Sequence, residues 1–169
     1  MATKFIKNGA KVVITDILHQ LGQDAAVELR PNATFVSCDV TRESDISDAV
    51  DFTVSKHGRL DIMYNNGIVG NSPPRIVDLD MTEFDRIMSI NVQGVVVGIK
   101  HAARFMMPRH SGCILCTGSV TVLMGGLSPP EYSISKGASL GSSNQLWPRC
   151  ESMAFRLIAS RRSPFRPRL

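Results

Sequence analysis

The chain has 169 residues, of which 43% are hydrophobic and 20% charged, with a net charge of +4. That length and composition suit one packed domain and exclude wholesale disorder and the collagen-like, coiled-coil and disulfide-framework classes. The charge is uneven: residues 1–150 hold 14 Lys+Arg against 14 Asp+Glu, and the last nineteen residues hold five Arg and one Glu, which argues against a nucleic-acid partner for the domain.

Residues 2–7 read as the end of a helix stopped by Asn8-Gly9. Lys11 to Asp16 is a β-branched run and predicts a strand. A helix over 20–29 closes at Arg30-Pro31, and Thr34–Ser37 is a second strand ending at Cys38-Asp39-Val40. Ile46, Ala49, Val50 and Val54 form the stripe of a helix over 42–57 that stops at Gly58. Leu60–Tyr64 is a third strand. Thr82-Glu83-Phe84-Asp85 has the form of an N-terminal cap for a long helix carrying Phe84, Ile87, Met88, Val92, Val95, Ile99, Ala102, Ala103 and Met106, ended by Pro108. Cys113–Cys116 is a fourth strand. Helices alternating with short apolar strands predict parallel βαβ units in a doubly wound α/β sheet. From Ser142 onward no period is visible, and the Arg- and Pro-rich end cannot form a core element.

No apolar run approaches the roughly 18 residues of a membrane span, and the N-terminus lacks a secretory signal, so no membrane partner is expected. Cys113-Ile-Leu-Cys116 matches C-x-x-C, but positions three apart on a strand face opposite ways. One such pair is also too few ligands for a structural zinc. The cysteines read as buried small hydrophobes, no metal is expected, and the compartment is expected to be the reducing cytoplasm.

Tyr132-Ser133-Ile134-Ser135-Lys136 sets a phenol and an ammonium four apart on one helix face. A cation within reach favours phenolate, which suits Tyr132 to acid-base work on an alcohol or carbonyl. Alone, the same pair is an ordinary surface Tyr and Lys. Ser119, just past the fourth strand, faces the ligand crevice of such a sheet or simply caps a loop. Asn91 lies on the apolar face of its helix, as a structural amide or as the holder of a water. Asp16 ends the first visible strand, where an acid accepts from an adenosine ribose and repels a 2′-phosphate, or merely closes a turn. Asp39-Val40 suits an adenine contact or a helix cap, and Asn65-Asn66-Gly67 a backbone approach to a dinucleotide or a plain turn.

Taken together in this order, these residues resemble the short-chain dehydrogenase/reductase family, in its plant secoisolariciresinol- and xanthoxin-dehydrogenase type. Asn8–Ile14, Asp61–Asn66 and Tyr132–Lys136 carry the likeness, which spans residues 2–141. It implies an NAD-dependent oxidoreductase moving a hydride between the cofactor and a secondary alcohol or ketone. Tyr132 would be the acid/base and Lys136 would support it and bind the nicotinamide ribose. Ser119 would polarise the reacting oxygen and Asn91 would support a water relay. Asp16, Asp39, Val40, Asn65, Asn66, Gly67, Tyr132 and Lys136 would bind NAD. Homotetramers through the Asn91 and Tyr132 helices are common in the family.

The resemblance also marks departures. The family's first strand and Gly-rich turn are missing, so a partial Rossmann-like sheet is expected, without its first and last strands. That loss would separate the strands at 11–16 and 34–37 from those at 60–64 and 113–117. The turn reads Asn65-Asn66-Gly67 where the family has Asn-Asn-Ala-Gly. These losses keep open a second function: an inactive fragment or a non-enzymatic binding module. Residues 1–141 are then a partial dinucleotide-binding domain and 142–169 an aberrant, disordered basic tail. A one-base frame shift accounts for that tail. Read so, Trp147-Pro148 forces Ala, Met153-Ala154 forces Gly, and codons exist that permit His-Gly-Ile-x-Val-Asn-Cys-Ile-Ser-Pro-Phe over 152–165. Sequencing the transcript is expected to show codons that restore this pattern after Gly141; codons that forbid it sink the frame-shift reading.

Overall fold

The computed structural model describes residues 1–67, 75–124, 128–146 and 154–160, with 143–146 and 154–160 described as backbone alone. The chain divides into two units, Met1–Leu60 and Asp61–Leu169.

The first unit runs α1 (Ala2–Lys7), β1 (Val12–Asp16), α2 (His19–Glu28), β2 (Ala33–Ser37) and α3 (Glu43–His57). The β-branched runs pair in parallel, from Val12 opposite Ala33 to Asp16 opposite Ser37. α3 buries the predicted stripe at Ile46, Ala49 and Val50. Glu43 and Asp45 in its first turn and Lys56 and His57 in its last both oppose the helix dipole. Gly58 ends it at φ 77°, a left-handed conformation that glycine adopts without cost.

The second unit contains β3 (Ile62–Asn65), α4 (Met81–Met88), a π-turn at Ser89–Gln93, α5 (Gly94–Met106), β4 (Cys113–Ser119), α6 (Pro130–Leu146) and β5 (Ala154–Ser160). Its sheet is parallel in the order β3-β4-β5, with Ile62 opposite Cys113 and Cys113 opposite Ala154. α5 buries Val95, Ile99, Ala102 and Met106, one stripe of a 3.6-residue period, and Ile114 of β4 is fully buried. Among the described residues β1-β2 and β3-β4-β5 form two sheets. Among the described residues no helix is long and apolar enough to cross a membrane.

Three details differ from the sequence reading. The long helix is interrupted by the π-turn, because apolar spacing alone does not register one widened turn. Its cap is Asp80, whose Oδ1 accepts from Thr82 N–H at 2.8 Å, so the acceptor comes two residues before the Thr82 signature. The change of character at Ser142 does not end order there: α6 continues to Leu146 and Ala154–Ser160 forms β5, while 147–153 and 161–169 lie outside the described residues.

Ile114→Ala is expected to remove about 2–5 kcal/mol from the stability of the second unit, by lost transfer energy and an unfilled cavity. Urea unfolding reads this as a lower midpoint at unchanged slope.

Candidate active site

In the second unit, three backbone features bring distant residues together. β3 ends at Asn65 and passes directly into Asn66-Gly67. The π-turn carries Asn91 into the interior, where it is 0% exposed. α6 opens on Pro130, a residue suited to a first helical position, and presents Tyr132, Ser135, Lys136 and Ser139 at spacings of three, four and seven.

Lys136 is the centre of this arrangement. It is 2% exposed, and its Nζ donates to the Thr117 carbonyl at 3.1 Å. The same Nζ stands 5.7 Å from the centroid of the Tyr132 ring, a cation–π distance. Burial pulls the Lys136 pKa below the ordinary lysine value, and the Cys116 sulfur acts in the opposite direction. Gly67 borders both Lys136 and Asn91. A Cβ there would lie 2.8 Å from Lys136 Nζ and would meet Asn91 Oδ1, so the close approach requires a residue without a side chain.

The Asn65-Asn66 pair ties β3 to β4. Asn65 Nδ2 lies 3.7 Å from Cys116 Sγ. Thr117 Oγ1 donates to Asn66 Oδ1 at 2.9 Å and is also 2.9 Å from the Tyr64 hydroxyl. Ser119 ends β4, and its Oγ accepts from Thr121 N–H at 3.3 Å and from Thr121 Oγ1 at 2.9 Å. Those bonds fill its lone pairs and leave its own proton to donate.

The first unit holds the remaining predicted residues. Asp16 is exposed at the end of β1, and its Oδ1 accepts from Leu18 N–H at 2.9 Å, which fixes the carboxylate. Asp39 Oδ1 accepts from Thr41 Oγ1 at 2.7 Å and from Thr41 N–H at 2.9 Å. These two hydrogen bonds hold its carboxyl below the usual carboxylate range. Asp39 thus closes an Asx-type turn ahead of α3, whose N-cap position is Arg42 with no side-chain cap bond; Val40 beside it is half-buried. Next to them, burial and the charges of Asp45 and Asp39 push the Cys38 thiol up to about 11, so it is unreactive at neutral pH.

Sequence reasoning missed Ser135, Ser139, Thr117 and Glu131. The first two share the Tyr132–Lys136 face, a signal the heptad-like spacing contained. Glu131 is fully buried in the first turn of α6, where a negative charge suits the helix dipole, and among the described residues its oxygens have no hydrogen-bond partner.

The chain matches the family model described as short chain dehydrogenase over residues 1–152. It is 46% identical over 142 residues to short-chain dehydrogenase reductase 5 of Arabidopsis thaliana, covering 83% of this chain and 55% of that one. It is 44% identical over 147 residues to secoisolariciresinol dehydrogenase of Forsythia intermedia, covering 86% and 53%. Its fold superposes with a TM-score of 0.88 on a short chain dehydrogenase/reductase from Burkholderia phymatum solved in complex with NAD, at 22% identity, covering 94% of this chain and 59% of that one. The chain thus spans about half the length of the curated relatives it matches.

Gly67→Ala is expected to cost about 1–3 kcal/mol by overpacking against Asn91 and Lys136. Thermal unfolding measures the loss, and a midpoint equal to that of the parent chain would contradict the contact.

Proposed function

The chain belongs to the short-chain dehydrogenase family, and on that footing we propose that it serves hydride transfer between NAD and a secondary alcohol or ketone. The observation that carries the reading is Lys136, buried and held beside the Tyr132 ring with Asn91 and Gly67 next to it.

Each unit by itself carries residues that suit part of a dinucleotide. Gly67 exposes bare backbone beside an ammonium and an amide, a cradle that any Cβ would fill. Asp16 keeps Oδ2 for a ribose hydroxyl while Oδ1 is fixed by Leu18, and its charge disfavours a 2′-phosphate. Val40, beside the turn that Asp39 caps, would line the adenine, and Asn65 and Asn66 would present their backbone to the cofactor. NAD, when bound, supplies the hydride acceptor.

The chain's own side chains handle the proton. In oxidation, the substrate hydroxyl proton passes to Tyr132 Oη as the C–H bond gives up its hydride. Ser119 donates a hydrogen bond to the substrate oxygen. Lys136 supplies the positive charge beside Tyr132 and would hold the nicotinamide ribose, and Asn91 supports a water that refills the proton path. Reduction runs the same steps in reverse.

The partner is a small alcohol or ketone. Assembly into homotetramers through α5 and α6 belongs to the same proposal. Cys38, Cys113 and Cys116 are thiols outside any disulfide, which supports work in a reducing compartment, the cytoplasm.

The test is purified chain titrated with NAD and then assayed with secondary alcohols. Tyr132→Phe is expected to lower kcat by about 10²–10⁴-fold at saturating NAD. The rate needs Lys136 charged, and its pKa lies below the ordinary 10.5. Activity should therefore fall on an alkaline limb that begins below that value and is absent in Lys136→Met. Absence of NAD binding by the parent chain would overturn the reading.

A further inference from the structure

We infer that Ser135 is a positioning residue that fixes which end of the Asn91 amide faces Lys136. The inference rests on the reading of Tyr132 and Lys136 given above. A hydroxyl has one proton and two lone pairs. Ser135 Oγ commits its proton to the Tyr132 carbonyl, 2.8 Å away and one helical turn earlier. What it offers Asn91 is then a lone pair, and Asn91 Nδ2 donates to it at 3.0 Å. An amide has two unlike ends, so fixing the nitrogen fixes the oxygen. Asn91 Oδ1 is turned toward Gly67, which also borders Lys136 Nζ. Reversed, the amide would direct two N–H donors toward an ammonium and leave its oxygen against a lone pair.

A second hydroxyl holds the backbone of the same residue. Ser139 Oγ is 2.8 Å from the Asn91 carbonyl and 2.9 Å from the Ser135 carbonyl, so its proton is shared between the π-turn and α6. Asn91, Ser135 and Ser139 are each 2% exposed or less, and water does not compete for these bonds. With Ser139 placing the backbone, Ser135 has one remaining freedom to settle, the rotation of the amide. An amide oxygen near Lys136 favours the charged ammonium, against the burial that opposes it.

The experiment uses the full chain labelled with ¹⁵N. The side-chain NH₂ signals of Asn91 are identified by their loss in Asn91→Asp. In Ser135→Ala they are expected to exchange with solvent at least about tenfold faster, since the acceptor is gone. In the same variant the alkaline limb of turnover should move to lower pH, with kcat reduced and KM unchanged, a pattern that loss of packing alone does not produce. Should Ser135→Ala fail to fold, Ser135→Cys fills the same space with a weaker acceptor and is expected to give intermediate exchange. Unchanged Asn91 exchange in a folded variant overturns the inference. If the parent chain turns over no alcohol but Asn91 exchange responds, the positioning stands and the functional reading fails. If turnover is normal and exchange does not respond, the reading stands and the positioning fails.

Discussion

A lysine with 2% of its surface exposed is the constraint around which the second unit is arranged. An ammonium in a protein interior is costly unless donors find acceptors and neighbours supply compensating charge or dipoles. Lys136 meets that condition with elements far apart in sequence. Thr117 of β4 gives its carbonyl, the Tyr132 ring gives its face, and the π-turn brings an amide alongside. Gly67 lets all of this close up by contributing no side chain. Together they make an interior position tolerable for a cation.

The first unit shows the same parallel strand chemistry with a different emphasis. β1 ends in a carboxylate and another follows β2 by two residues, and each is tied to its own turn, Asp16 to Leu18 and Asp39 to Thr41. Asx-type turns of this kind fix the direction of an acid at a strand end without burying it. The two acids differ in what they have left to give. Asp16 spends one oxygen on one N–H, whereas a single oxygen of Asp39 accepts two bonds, which hold that carboxyl below the usual carboxylate range.

Much of this was legible in the residues. β-branched runs at 12–16 and 33–37 and the stripe at Ile46, Ala49 and Val50 state their secondary structure directly, because burial on one face leaves a period in the sequence. The Tyr132–Lys136 spacing was also visible, since helical geometry makes four residues a contact distance. Three features were not. The π-turn leaves the apolar count nearly unaltered, so the hydrophobic pattern does not announce it. Ser135 and Ser139 look like any helix-interior serines until the partner at Asn91, 44 and 48 positions away, is known. β5 draws its order from pairing with β4, through ladder bonds that its own composition does not announce.

The π-turn also sets how the chain tolerates changes of length. Its ring closes over five residues, with Gly94 N–H reaching Ser89, one more residue than an α-helical turn uses. Deleting one residue between Ser89 and Gln93 therefore heals the helix, and the stripe from Val95 to Met106 stays in phase with itself. A deletion within α4 or α5 instead rotates everything beyond it by about 100° and turns apolar side chains out of the core. The segment holding Asn91 is thus the one place on this long helix where a residue can be lost while the fold persists. On this helix, length is negotiable only where the hydrogen bonding is already widened.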